Sequence, residues 1–268
     1  MFLAVVFVLG LIIGSFLNVV VLRLNTGESI IKSRSKCFSC GHRLGFFDLI
    51  PVLSFVFQKG RCRYCQSKIS RHYPLVELIT GIVFVLTALK IFNFQNLLSL
   101  IFYWAMFSIL IAVSAYDFKH QIIPNKLVYL FVSLSLLFVI LSFAVPMDIG
   151  TSLAPLGRGN SGLFLYLLSG TLFFGFFAFL WLVSRGKWLG FGDAKLALGL
   201  GFLLGPWNSL AAFLFSFWLG GLVGIFLMAL KKKRFNLKTQ IPFAPFLVVG
   251  SFLAFLVGDK FISLLFGL

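Results

Sequence analysis

Apolar runs of roughly 20 residues alternate with short polar stretches along nearly the whole chain, each long enough to cross a hydrocarbon core of about 30 Å as a helix. Eight such spans are read: Met1 to Leu22, Tyr73 to Ile91, Leu97 to Tyr116, Leu127 to Val145, Gly162 to Ser184, Trp188 to Leu204, Ser209 to Leu230 and Ile241 to Val257. The pattern predicts an all-α polytopic membrane protein. One stretch breaks the rhythm. Between the first two spans lie about 50 residues rich in charge, Ser, Gly and Cys, too few for a large hydrophobic core. The expected organisation is therefore a first transmembrane helix over 1–22, a small inserted domain over 23–72 and a membrane-embedded body over 73–268.

Composition agrees. The chain is 60% hydrophobic with a mean hydropathy of +1.05, and 11% of it is charged against about one quarter in a soluble globule. A water-soluble reading is excluded. The net charge of +16 would suggest nucleic acid in a soluble protein. Its distribution gives another cause. The first span has no basic n-region and no small-residue cleavage site, so it is expected to stay as a helix, and its N-terminus is placed outside for the charge count that follows. The segment Arg23 to His72 and the loops around Lys119, Arg185 and Lys231 are then cytoplasmic, and they hold 20 of the 23 Lys and Arg. Only Lys90, Arg158 and Lys260 remain outside. The positive-inside rule accounts for the excess, the run Lys231 to Arg234 is a topology anchor near anionic lipid, and no nucleic-acid partner is called for.

All four cysteines fall in the inserted segment, as Cys37-Phe-Ser-Cys40 and Cys62-Arg-Tyr-Cys65. Each pair lets two thiolates converge on one tetrahedral ion, and two pairs complete a closed, structural zinc site. Metal binding would supply the folding free energy that so small a core lacks. Disulfides are the alternative, disfavoured in a reducing cytoplasm. His42 reads as a surface residue, since four thiolates already fill the tetrahedron.

Of seven acidic residues, Glu28 and Asp48 lie in the inserted segment, and Asp148 and Asp259 lie at outward edges where solvation explains them. Asp117 ends the third span, and Asp193 opens the sixth within Gly190-Phe-Gly192-Asp193-Ala-Lys195. A carboxylate at membrane depth is costly and normally faces the bundle interior or a wet cavity. Two that meet there cannot both ionise easily, which would leave one to activate water and one to donate a proton, as in aspartic proteases. Pairing with Lys119 or Lys195 is the plainer alternative. Glu77, just inside the second span, reads as a helix-end partner of Arg71, a packing polar residue, or a third contributor to a cavity; a structural role is favoured.

These residues carry a resemblance. Gly14-Ser-Phe-Leu-Asn18-Val-Val-Val-Leu-Arg23, both cysteine pairs, Ile50-Pro-Val-Leu-Ser54, Ile69-Ser-Arg-His-Tyr-Pro-Leu-Val-Glu77-Leu, Asp117 with Ile123-Pro124, the Gly190 to Lys195 motif and Ile241-Pro-Phe-Ala-Pro-Phe246 together resemble bacterial type 4 prepilin peptidases. The resemblance covers nearly the whole chain. It implies an inner-membrane aspartic endopeptidase of the G-x-G-D type that cuts basic leaders from prepilins and pseudopilins at the cytoplasmic face, with Asp117 and Asp193 as the catalytic pair. It also implies N-methylation of the new N-terminus with S-adenosylmethionine, without locating that site. Gly199, Gly201 and Gly205 lie in an apolar span and read as close helix packing rather than a nucleotide loop. The chain departs from the family pattern at Asn125, Ala244 and Phe38, where aspartate, glycine and proline are usual. Two other functions fit parts of the sequence: a transporter moving protons or cations through Asp117 and Asp193, and a non-catalytic zinc adaptor.

Overall fold

A computed structural model describes residues 1–91, 97–144, 160–229 and 242–267. The expected anchor at Lys231 to Arg234, together with Arg158, Lys238, Asp148 and Ile241, lies outside the described residues. The described chain is helical: α1 (Phe2–Arg23), a short 3-10 turn (Phe46–Leu49), α2 (Leu53–Phe57), α3 (His72–Ile91), α4 (Leu97–His120), α5 (Asn125–Ala144), α6 (Asn160–Ser184), α7 (Phe191–Ala229) and α8 (Ala244–Phe266). Seven of these are long and apolar enough to cross a membrane, and the protein is a multi-pass membrane protein. The chain divides into two compact units, Met1–Leu89 and Lys90–Leu268.

In the first unit α1 and α3 approach backbone to backbone. A Cβ at Gly10 would lie 2.7 Å from the Gly81 Cα, and one at Gly14 would lie 2.7 Å from the Glu77 Cα, so only glycine permits the approach. Asn18 Nδ2 donates to the Tyr73 carbonyl 3.1 Å away. Where α1 leaves the apolar run, the Arg23 guanidinium gathers the carbonyls of Ser29, Ile30, Ser33 and Arg34 and fixes the start of the inserted segment.

The second unit is a bundle in which successive helices run antiparallel. Tyr103 of α4 packs on Phe138 of α5 and Phe255 of α8, and Phe107 packs on Phe252 and Phe255. A straight helix of the 39 residues of α7 would measure about 58 Å, twice the hydrocarbon thickness. It is not straight. Gly205 has φ 71°, a left-handed value, and Pro206 follows it. Ser209 Oγ lies 3.5 Å from the Leu200 carbonyl, although nine residues of straight helix would separate them by about 13.5 Å. The chain thus reverses, and Ala197, Leu200 and Gly201 of the first arm face Ser209, Ala212 and Phe213 of the second across a void of about 10 Å³. The sixth and seventh spans expected from sequence are these two arms.

Small residues set the packing of the hairpin. A Cβ at Gly201 would sit 2.4 Å from the Gly170 Cα of α6, and one at Gly250 of α8 would sit 2.7 Å from the Ala212 carbonyl. Gly199 meets Phe131 and Gly205 meets Tyr166 in the same manner, which agrees with the reading of these glycines as packing sites. Apolar side chains left exposed on the helices, such as Leu172, Leu182, Leu222 and Ile225, face lipid.

Candidate active site and metal centre

Three helix ends of the second unit converge on the aspartates. Asp117 lies in the last turn of α4, where the helix dipole disfavours an anion, so the position does not serve helix stability. It is 4% exposed and accepts the backbone N–H of Ala244, at the start of α8. Asp193 lies in the first turn of α7 and is also 4% exposed. Its Oδ2 accepts the Gly190 N–H at 3.1 Å, while the Asp193 N–H donates to the Gly190 carbonyl at 3.0 Å, a reciprocal cap of the helix start. Its other oxygen, Oδ1, is buried without a hydrogen-bond partner among the described residues. The two carboxyl groups feel each other's charge.

The convergence depends on Gly192. A Cβ there would lie 2.7 Å from the Ile123 Cβ, so only a glycine lets α7 begin against the Ile123-Pro124 turn that follows α4. Lys195 turns away from both aspartates and donates to Asn125 Oδ1 at 2.9 Å and to the Tyr129 hydroxyl at 3.1 Å. The pairing of Asp193 with Lys195, weighed from sequence, does not occur. The Asn125 amide oxygen thus holds the lysine. Ala244 is fully buried and contributes its backbone, which no side-chain pattern could have signalled.

In the first unit the two cysteine pairs form equivalent knuckles. Cys37, Cys40, Gly41, His42 and Arg43 have counterparts in Cys62, Cys65, Gln66, Ser67 and Lys68, each 25 positions on. In each, the first cysteine takes a hydrogen bond at its carbonyl from the left-handed residue, Gly41 (φ 72°) or Gln66 (φ 58°), and bridges pair Lys36 with Arg43 and Arg61 with Lys68. All four sulfurs lie within 4.8 Å of one another. The Cys37 and Cys65 sulfurs are 3.8 Å apart, the edge of a tetrahedron with metal–sulfur bonds of about 2.3 Å and far beyond a disulfide of about 2.05 Å.

Backbone N–H groups of Cys40 and Ser39 lower the Cys37 thiol to about 6, and the Ser67 hydroxyl and amide lower that of Cys65. At Cys40 the His42 N–H pulls the same way, but burial and the neighbouring sulfurs outweigh it and push the thiol up to about 11. Four sulfurs that crowd each other's charge are matched by a divalent cation, and the group can hold a metal ion. His42 packs at a tilt of 34° on Tyr64 with ring centroids 3.6 Å apart, and it is outside the four-sulfur group. Glu77 is buried, and its Oε2 accepts the Val52 N–H at 2.7 Å instead of pairing with Arg71, in keeping with a structural role. Val52 needs the support: it is β-branched with φ 60°.

At the opposite end of the second unit Asp259 is more than a solvated carboxylate. It accepts Asn208 Nδ2 at 2.9 Å, beside the reversal of α7, and pairs with Lys90 at 3.7 Å. Lys90 also donates to the Phe255 and Leu256 carbonyls.

Residues 8–91 match the family model described as the bacterial peptidase A24 N-terminal domain, and residues 104–225 match the type IV leader peptidase family. A protein of Bacillus subtilis (strain 168) named prepilin leader peptidase/N-methyltransferase is 36% identical over 97% of this chain and 96% of its own length. Proteins of the same name from Aeromonas salmonicida (strain A449) and Myxococcus xanthus (strain DK1622) are 31% and 36% identical, over 97% and 90% of this chain and 92% and 67% of their own lengths. No solved structure matches.

Proposed function

Since the chain belongs to the type IV leader peptidase family, we propose that it cleaves the basic leader from type 4 prepilins and type II secretion pseudopilins and N-methylates the residue exposed. The observation that carries the hydrolytic half is the burial of Asp117 and Asp193 together where α4, α7 and α8 meet at one end of the bundle. These are the catalytic residues of the proposal. A transporter using the same aspartates gains no support from the relatives.

The substrate's apolar helix lies in the bilayer and its basic leader stays at the polar face, which brings the scissile bond to the depth of the aspartates. One carboxylate takes a proton from water as the oxygen bonds to the peptide carbonyl carbon. The other, protonated, gives its proton to the amide nitrogen as the C–N bond breaks. The pair ends with one proton, on the opposite partner, and no acyl-enzyme forms. Asp193 Oδ1 is the atom assigned to this exchange, because Oδ2 is occupied by the helix cap.

The aspartate end also carries Lys119, Lys126, Arg185, Lys187 and Lys195, which supports a cytoplasmic site in a bacterial inner membrane with the N-terminus outside. We assign 1–22 as a membrane anchor, 23–72 as a structural zinc domain held by Cys37, Cys40, Cys62 and Cys65, and 73–268 as the peptidase body. Zinc there supplies folding free energy and, with all four positions filled, no catalysis. S-adenosylmethionine is the methyl donor of the second activity. Gly199, Gly201 and Gly205 are consumed by helix packing, and no residue set is assigned to the donor. Mass spectrometry of a prepilin incubated with enzyme and S-adenosylmethionine tests both halves. Leader loss and a methyl gain are expected, and an intact substrate, or normal processing by the Asp117→Asn and Asp193→Asn variants, refutes the assignment.

A further inference from the structure

The inserted segment presents an apolar face that its own fold leaves open. Phe46 and Phe47 of the 3-10 turn are 80% and 74% exposed, and Val56 and Phe57 of α2 are 62% and 82% exposed. In a segment that must be stapled by metal for want of core, four such side chains kept outside are costly in water. Phe47 and Phe57 line an open groove of about 760 Å³ that is also lined by Lys59, Arg61 and Arg63. The single acid of the groove, Asp48, is already engaged through both oxygens, by the Gly45 N–H and by Gln58 Nε2. Aromatic rings beside basic groups that form no ion pair among the described residues make an amphipathic, cationic surface.

The position of this face is fixed by two tethers within the first unit. Arg23 clamps the start of the segment to the end of α1. Glu77 holds the Val52 N–H, at the start of α2, and lies five residues into α3, about 7.5 Å along that helix. Both α1 and α3 are apolar enough to cross the bilayer, and the two tethers attach the inserted segment near the end of α1 and the start of α3. We propose that the face formed by Phe46, Phe47, Val56 and Phe57 docks into the headgroup region of the protein's own bilayer, with Lys59, Arg61 and Arg63 binding the phosphates of anionic phospholipid. The segment from Arg23 to Arg71 carries ten basic and two acidic residues, so the basic leader of the proposed substrate meets like charge here and an anionic lipid meets opposite charge. The inference rests on α1 and α3 spanning the membrane and is independent of the aspartyl chemistry.

The test is hydrogen exchange on the full chain in nanodiscs of phosphatidylcholine alone and of phosphatidylcholine with phosphatidylglycerol. Amides of 46–57 are expected to exchange at least about tenfold more slowly in the anionic bilayer. The difference should shrink in 1 M salt and disappear in the F46S/F47S/F57S and K59Q/R61Q/R63Q variants, whose zinc content stays that of the parent because all the replaced groups are exposed. Equal exchange in both bilayers, the same protection in detergent, or protection that grows with protein concentration, which would indicate a second copy on this face, overturns the proposal. A D117N/D193N variant separates the two readings: it should dock as the parent does while losing cleavage.

Discussion

In the proposed mechanism Asp193 performs two tasks with two oxygens, and two substitutions pull them apart. Its Oδ2 caps α7 through the Gly190 N–H, whereas Oδ1 is buried and unpartnered among the described residues. Asp193→Asn keeps an oxygen able to accept the Gly190 N–H and removes the ionisable group. Asp193→Ala removes both. A side-chain cap is worth about 1 kcal/mol, so the alanine variant should unfold about 2–4 °C below the asparagine variant, which should match the parent. Acid–base catalysis by one positioned group contributes roughly 100- to 10,000-fold, so both variants should lose cleavage by at least that much. Thermal unfolding in detergent and a gel assay of prepilin shortening read the two quantities on the same preparations. Cleavage by Asp193→Asn within tenfold of the parent would end the catalytic assignment. An equal loss of melting temperature in both variants would end the division of labour between the oxygens.

Other expectations follow from single contacts. Gly192→Ala places a Cβ 2.7 Å from the Ile123 Cβ, and relief by about 1 Å should cost roughly 100-fold in cleavage rate, whereas Gly175→Ala, which meets open space, should leave it unchanged. Cys62→Ser removes the most buried of the four thiols; zinc content should fall below one per chain, and exchange protection of 37–68 should vanish while that of α4 to α8 persists. Full zinc occupancy in that variant would contradict the tetracysteine site. Asp259→Ala removes the counter-charge of the Lys90 ammonium and the acceptor of Asn208 Nδ2, at a cost of about 1–3 kcal/mol, seen as faster exchange at 205–208 with cleavage retained.

Much of the architecture was legible because lipid imposes one requirement, a long apolar helix, that hydropathy reports directly. Even the break within α7 was visible as two spans separated by a stretch that contains Gly205-Pro206. The cysteine spacing was equally readable, since two C-x2-C pairs in a short polar segment leave few other arrangements. The partners of the aspartates were not. Ala244 acts through its backbone N–H, which any residue but proline supplies, so nothing in the side-chain pattern marks it. The cap at Asp193 was findable, because an acid three residues after a helix-start residue is a known capping spacing. Asp259 reads as solvated because hydropathy sees only that it flanks an apolar run; its pairing with Lys90 brings together positions 169 apart. Val52 was hidden by its type, since a β-branched residue is the last expected at positive φ.

The turn at Gly205 leaves the first arm of α7, residues 191–204, about 21 Å long against a hydrocarbon layer of about 30 Å. A rod shorter than the slab it stands in draws the polar boundary toward its end. The water surface must therefore dip toward one end of that arm, and Asp193 stands at the end where hydrolysis would consume it. A shortfall in helix length, set by one glycine at the far side of the bundle, would thus give the proposed reaction access to its smallest reactant.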